Sequence, residues 1–284
     1  MKQVRYAIEA SLLYLAFGLF KIMGPQAASG FGGPIGRSLG PKLGASKKAL
    51  ANLRYALPGK TDDEYAAIIA DMWDNLGRVI AEFPHLKTIA RDYTEIVGLD
   101  NVPKDGKPFV FITAHTANWE AAHVALHVQP KIKFNLTYRL PNNPYIAGLV
   151  ESCRRVEGQL PMLPKSRTGT RGMVESMSDG NPLLILIDQK YNEGLAVPFF
   201  GRPAMTSDSF VRFSQKFDAP VIPFRMERLN GCHFRLTILP ALPAAGRTPE
   251  AVIGDAHALL EDWIREKPGQ WLWLHRRWDS AGLK

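Results

Sequence analysis

Phe109-Val110-Phe111-Ile112-Thr113-Ala114-His115-Thr116-Ala117-Asn118-Trp119-Glu120 is an apolar run that breaks into a histidine and, five positions on, a carboxylate. The first six residues read as a buried strand: short, rich in β-branched and aromatic side chains, with no polar face. From about Asn118 the pattern turns helical, to about His127. Two side chains five apart on one helix diverge by about 140°, so His115 and Glu120 share a site only if one lies outside the helix. His115 is therefore placed at the strand-to-helix turn and Glu120 in the helix, folding back toward it. A histidine oriented by a carboxylate is a general base.

The same alternation extends in both directions. Strands are expected over residues 95–99, 109–114, 133–138, 160–163, 183–187, 221–226 and 233–239, the last two joined through the Asn230-Gly231 turn. Helices are expected over 47–57, from the Thr61-Asp62-Asp63-Glu64 capping box to Phe83, and over 118–127, 143–156, 169–177, 207–217 and 248–267. This order implies an α/β fold with a mixed, largely parallel sheet flanked by helices. The glycine-rich residues 30–44 read as an irregular connection, and the stretch after Asp188 as a long loop.

An N-terminal hydrophobic and amphipathic helical extension precedes the sheet. Lys2 and Arg5 lead into an apolar run over residues 10–20, closed by Lys21. The run is shorter than the roughly 18–20 residues a spanning helix needs, and the cleavage signal after it is imperfect. A retained helix lying against a membrane is expected over residues 1–30, followed by one α/β domain over 31–284. No linker, low-complexity block or repeat divides the chain.

The net charge is +8, from 35 basic and 27 acidic residues, which points to an anionic partner. No helix-turn-helix, zinc finger or aromatic RNA-binding motif accompanies it, so nucleic acid is not favoured. The two cysteines, Cys153 and Cys232, form neither a CxxC nor a disulfide framework.

In open α/β sheets functional groups gather beyond the carboxyl ends of the strands, and His115, Arg139 and Asp188 each follow a strand directly. Arg139 suits a phosphate or an oxyanion, or is a solvated arginine. Asp188-Gln189 closes an apolar strand, as a functional carboxylate or as an acceptor for loop amides. Lys165, Arg167 and Arg171 form a basic cluster, a phosphate site or surface charge. Residues 197–203 read as an apolar loop over the site, with Phe199 and Phe200 bordering a hydrocarbon channel or packing in the core. Glu120, His123 and His127 share a helical face that suits a metal, but the zincin spacing is lacking and no metal is expected. There is no serine nucleophile elbow, GxGxxG or P-loop. The tail Gln270-Trp271-Leu272-Trp273-Leu274-His275-Arg276-Arg277-Trp278 suits a membrane interface, or a last strand packing its tryptophans inward.

Taken in order, Asn52-Leu53 to Pro58, Asn75-Leu76-Gly77-Arg78 with Glu82, His115 to Glu120, Tyr138-Arg139 with Asn142-Asn143, Asp188-Gln189, residues 197–203 and the tail resemble the lipid A biosynthesis lauroyl/myristoyl acyltransferases. These belong to the lysophospholipid acyltransferase superfamily, marked by HxxxxD/E. Thr116-Ala117 stands where that family often has a glycine before Asn-Trp-Glu.

The resemblance implies an enzyme at the cytoplasmic face of the inner membrane that needs no cofactor. It would move a fatty acyl chain from acyl carrier protein, a co-substrate, to the hydroxyl of a hydroxyacyl chain on a Kdo-bearing lipid A precursor. His115 would act as base with Glu120 charging its ring, and Arg139 or backbone amides would hold the oxyanion. Substrate contacts would come from Asn118, Lys165, Arg167, Arg171, Asp188, Gln189, Phe199, Phe200 and Arg276. The partners implied are acyl carrier protein, an anionic glycolipid and the membrane surface. Another glycolipid or phospholipid acceptor, or a catalytically inactive peripheral lipid-binding protein, are the alternatives.

Overall fold

A computed structural model describes residues 2–138, 141–164 and 166–278, the side chains of Lys2 and Arg167 apart. Five helices come first: α1 (Lys2–Met23), α2 (Pro25–Leu39), α3 (Ala45–Ala56), α4 (Asp62–Glu82) and α5 (Leu86–Asp92). The remainder alternates as β1 (Thr94–Val97), β2 (Val110–Thr113), α6 (Trp119–Val128), β3 (Asn135–Tyr138), α7 (Pro144–Arg154), β4 (Leu163–Pro164), α8 (Arg167–Ser178) and β5 (Leu183–Leu186). It ends with β6 (Leu195–Phe199), β7 (Arg202–Thr206), α9 (Ser209–Phe217), β8 (Val221–Asn230), β9 (His233–Ile238) and α10 (Pro249–Glu266).

Seven strands make one sheet in the order β1-β9-β8-β2-β5-β3-β4, with β8 and β9 antiparallel and every other pairing parallel. The mixed, largely parallel sheet expected from the alternation is thus present. β2 is central and wholly buried, because helices cover both faces. Its alternate residues feed two cores: Val110 and Ile112 pack with Leu183, Ile185 and Trp271, while Phe111 packs with Phe134, Leu184 and Phe224.

The capping box forms as its sequence requires. Glu64 N–H donates to Thr61 Oγ1 at 3.3 Å, and Thr61 N–H to Glu64 Oε2 at 2.7 Å. Tyr65, Ile68, Ile69, Met72, Trp73 and Val79 then form the buried face of α4, while Ile80 at 43% exposure lies off that face.

Two expectations fail here. Residues 30–44 are not an irregular connection, since α2 runs through Gly30, Gly32, Gly33 and Gly36. Gly32 and Gly36 permit close packing: a Cβ on Gly32 would stand 2.5 Å from the Gly77 carbonyl oxygen, and one on Gly36 2.1 Å from that of Trp73. Small size, rather than flexibility, is what α4 demands of α2.

The stretch after Asp188 is likewise no long loop, because β6 and β7 form a separate antiparallel hairpin. Its two-residue turn, Phe200-Gly201, has positive φ at both positions (53° and 71°), as a primed hairpin turn requires. With phenylalanine in place of the usual asparagine, the sequence signal for that turn is weak.

α1 is longer than its apolar core suggests. Residues Gln3–Met23 meet the length and mean hydropathy of a membrane-crossing helix, with only 11% of the apolar window buried. Val4, Ile8, Leu12, Leu15, Leu19 and Ile22 are exposed. At about 1.5 Å per residue, such a helix matches the roughly 30 Å hydrocarbon core of a bilayer.

Candidate active site

The strand-to-helix turn after β2 is held from several sides. Ala117 has φ 48°, in the left-handed region, where only glycine is free of strain. That is the position at which the resembling family often has glycine. The conformation is fixed because Ala117 N–H donates to the Gln270 carbonyl (2.9 Å) and its own carbonyl accepts from Asn75 Nδ2 (2.9 Å). Leu272 N–H donates to the His115 carbonyl at 3.1 Å. Asn118 caps α6, its Oδ1 accepting from Ala121 N–H at 2.9 Å.

Behind the turn lies a buried polar cluster. Asn118 Nδ2 and Ser29 Oγ donate to the two oxygens of Glu82, at 2.7 and 2.6 Å. Arg228 completes the carboxylate's contacts with a bidentate pair, and its Nε donates to Asn75 Oδ1 at 2.9 Å. Gln270 exchanges both backbone hydrogen bonds of Arg228 through its amide, at 3.0 and 2.8 Å. Each member is satisfied by another, which makes the cluster a rigid mount for residues 115–118.

His115 reaches the cavity above this mount. β2 and β5 are parallel neighbours with Thr113 opposite Leu186, so His115 and Asp188, each two residues beyond, emerge side by side. His115 Nδ1 lies 2.7 Å from Asp188 Oδ1, and the His115 N–H donates to Asp188 Oδ2 at 2.9 Å. Trp271 Nε1–H donates to the same oxygen at 2.8 Å. Burial alone would raise the Asp188 carboxyl, but the His115 charge and these donors outweigh it and hold the group well below the usual carboxylate range. The anion accepts from Nδ1–H, leaving Nε2 as the acceptor nitrogen. Gln189 Nε2 stands 3.3 Å from His115 Nε2 and 3.0 Å from His275 Nε2.

This corrects the expected partnership, since the carboxylate that orients His115 is Asp188 rather than Glu120. Glu120 lies in the first turn of α6 and its oxygens receive Arg154 of α7, at 2.6 and 2.5 Å, and Trp119 Nε1–H at 3.1 Å. Burial pushes its carboxyl up, but the Arg154 guanidinium prevails and the net shift is downward. Glu120, Arg154, His115 and Gln189 line a single hollow of about 180 Å³, with Asp188 behind His115 and outside its lining. Leu136, Leu184, Leu186 and Phe224 supply its apolar walls. A larger groove of about 620 Å³ adjoins it through the shared Tyr138.

Of the other candidates, Gln189 joins the site and Asn118 positions it from behind, both of its amide atoms being used internally. Arg139 and Lys165 lie outside the described residues, as does the Arg167 side chain. Arg171 is exposed and pairs with Glu175 at 2.9 Å, away from His115. Phe199 and Phe200 do not border the hollow. The segment is the β6–β7 hairpin, and Phe199 stacks on Trp278 (5.7 Å) with Phe200 edge-on to it (4.9 Å). Arg276 is exposed.

The metal arrangement does not assemble: Arg154 occupies Glu120, and His127 stacks on Phe134 with ring centroids 4.1 Å apart.

The tail adopts neither of its expected forms in full. Trp271, Trp273 and Trp278 are buried, so they serve the core and not a surface, yet only a single bridge, Thr116 to Trp271, joins the tail to the fold as a strand would. Asn52 holds it by donating to the carbonyls of Trp273 (2.8 Å) and His275 (2.7 Å). Arg277 is fully buried, donating to the Met205 carbonyl at 2.8 Å and to Thr206 Oγ1 at 2.6 Å. Arg154, Trp271, Arg228 and Gln270 were not singled out from sequence as site residues. Only the tail's aromatic and polar density signalled two of them.

A model of the bacterial lipid A biosynthesis acyltransferase family matches residues 1–280. The chain is 23% identical over 270 residues to the lipid A biosynthesis palmitoleoyltransferase of Escherichia coli (strain K12), covering 87% of this chain and 86% of that protein. It is 24% identical over 245 residues to the lipid A biosynthesis lauroyltransferase of the same organism, covering 81% and 77%. Among solved structures, the 1-acyl-sn-glycerophosphate acyltransferase of Thermotoga maritima aligns over 94% of this chain and 99% of that one, at 13% identity and a TM-score of 0.42. With a family model matching nearly its whole length, the chain belongs to the bacterial lipid A biosynthesis acyltransferases.

Proposed function

We propose that this protein carries out late acylation of lipid A, moving a fatty acyl chain from acyl carrier protein to the hydroxyl of a hydroxyacyl chain on a Kdo-bearing precursor. The observation that carries the mechanism is the His115–Asp188 pair. With Nδ1–H given to an ionised carboxylate, Nε2 is directed at the cavity as a base. The acceptor hydroxyl displaces Gln189 from Nε2 and loses its proton there as its oxygen attacks the thioester carbonyl. The tetrahedral intermediate collapses, the C–S bond breaks, and the imidazolium returns the proton to the leaving thiolate. No covalent enzyme intermediate and no cofactor is required.

Gln189, beside Nε2, is an N–H donor placed for the oxyanion, and the family pattern offers Arg139 for the same role. Asp188 stabilises the imidazolium that forms, as a buried anion with a fixed hydrogen bond does. The exposed apolar face of α1 supports attachment to the inner membrane, and the net charge of +8 suits an acidic carrier protein and a phosphorylated lipid at its cytoplasmic face. Purified protein given acyl carrier protein thioester and lipid precursor tests this. His115→Ala is expected to lower kcat by about 10³-fold, in line with the loss of a positioned base. Unchanged transfer by that variant overturns the reading.

A further inference from the structure

His123 lies one turn beyond Glu120 on α6, is 3% exposed, and lines the same hollow as His115. Its ring hydrogen-bonds the backbone of Trp119, which uses one nitrogen, and Nε2 has no partner among the described residues. Burial pushes its pKa down to about 4, so the ring is neutral near pH 7 and Nε2 is a bare acceptor. Of the hollow's lining, Leu136, Leu184, Leu186 and Phe224 carry no donor, and Arg154 is engaged by Glu120.

His127, one turn further on, provides a contrast. Its Nε2 is also unpartnered, but its ring stacks on Phe134 and it does not line the hollow. Of the two, only His123 is a residue of the hollow's wall. A buried acceptor facing hydrocarbon keeps its full desolvation cost, whereas a ligand O–H removes it.

We propose that the hollow beneath His115 takes a donor acyl chain that itself carries a hydroxyl, and that this hydroxyl donates to His123 Nε2. The inference rests on the reading of the His115 hollow as an acyl site, and it adds a chemical class: hydroxyacyl over unsubstituted acyl of equal length. Sites built to hydrogen-bond a ligand hydroxyl discriminate strongly against the analogue that lacks it.

Equilibrium displacement of a fluorescent fatty acid from the full chain in detergent tests this without relying on turnover. Dodecanoic, 2-hydroxydodecanoic and 3-hydroxydodecanoic acids would be compared on the wild type, His123→Leu, His123→Gln and His127→Leu. One hydroxy isomer is expected to bind about tenfold or more tightly than dodecanoic acid. His123→Leu abolishes or inverts that ratio, His123→Gln retains part of it through its amide oxygen, and His127→Leu keeps it whole. Equal binding of all three acids by the wild type, failure of all three to displace the probe, or a ratio that survives His123→Leu overturns the inference. The corresponding acyl carrier protein thioesters should show the same ratio in kcat/KM. Absence of transfer from every thioester, with the binding ratio intact, overturns the acyl-transfer reading while supporting the hydroxyl contact.

Discussion

Asp188 and Glu120 are two buried carboxylates near His115, both held in the ionised form, and they spend their charge differently. Asp188 faces the His115 imidazole, with backbone and indole donors completing its shell. Glu120 faces the guanidinium of Arg154, and that pair ties α6 to α7. A charge already balanced by a guanidinium has little left to stabilise an imidazolium. On the proposed mechanism, proton chemistry belongs to the strand-end carboxylate and architecture to the helical one, although the helical one completes the sequence motif.

Removing Glu120's charge should show which it is. Glu120→Gln leaves Arg154 without its anion in a mostly buried position, and a loss of about 3 kcal/mol in unfolding free energy is expected from denaturant titration. Adding Arg154→Met should recover part of that loss, because it removes the stranded charge. No loss in the single variant would show that the pair does not tie α6 to α7.

The α6 side of the comparison also predicts a pH response. Burial lowers His123 and His127, and His257 beneath the β6–β7 hairpin, to about 4 in the folded protein. The unfolded chain therefore binds more protons than the folded one between the ordinary histidine value near 6.5 and about 4. The stability due to these neutral rings is present above pH 6.5 and is lost as pH falls toward 4, at up to about 4 kcal/mol per pH unit. Asp188 and Glu120, lowered from ordinary carboxylate values, add their loss only below about pH 4. Urea titrations from pH 7 to 4.5 should show the decline, and His127→Phe should make it shallower. A flat profile would contradict the burial of these rings.

The smallest effect concerns the mount itself. Ala117→Gly relieves the left-handed backbone but gives up a buried methyl, so stability should change by less than about 1 kcal/mol, with transfer retained. Ala117→Val, β-branched at the same φ, should cost more than the glycine change in a thermal melt. If the two variants behave alike, the turn is not held as described.

What was legible in the sequence follows from how local each signal is. The Val110 to Thr113 strand and the Thr61 capping box are written in adjacent residues, and each forms where its spacing places it. His115 at a strand end was equally local. Its partner was not: choosing Asp188 over Glu120 requires knowing that β2 and β5 are neighbours with Thr113 opposite Leu186, a pairing across more than seventy residues. Arg228 was invisible for the same reason, since its contacts with Glu82 and Asn75 cross about 150 positions. The glycines of α2 misled because their meaning lies on the other helix, at Gly77 and Trp73.

The central claim is that His115 works through Asp188 and not through Glu120. Steady-state transfer kinetics of Asp188→Asn and Glu120→Gln, measured side by side on folded protein, test it most directly. The account predicts that Asp188→Asn lowers kcat by about 10³-fold or more with little change in KM, while Glu120→Gln stays within about tenfold of the wild type. The reverse order, with Glu120→Gln abolishing turnover and Asp188→Asn retaining it, would contradict the account.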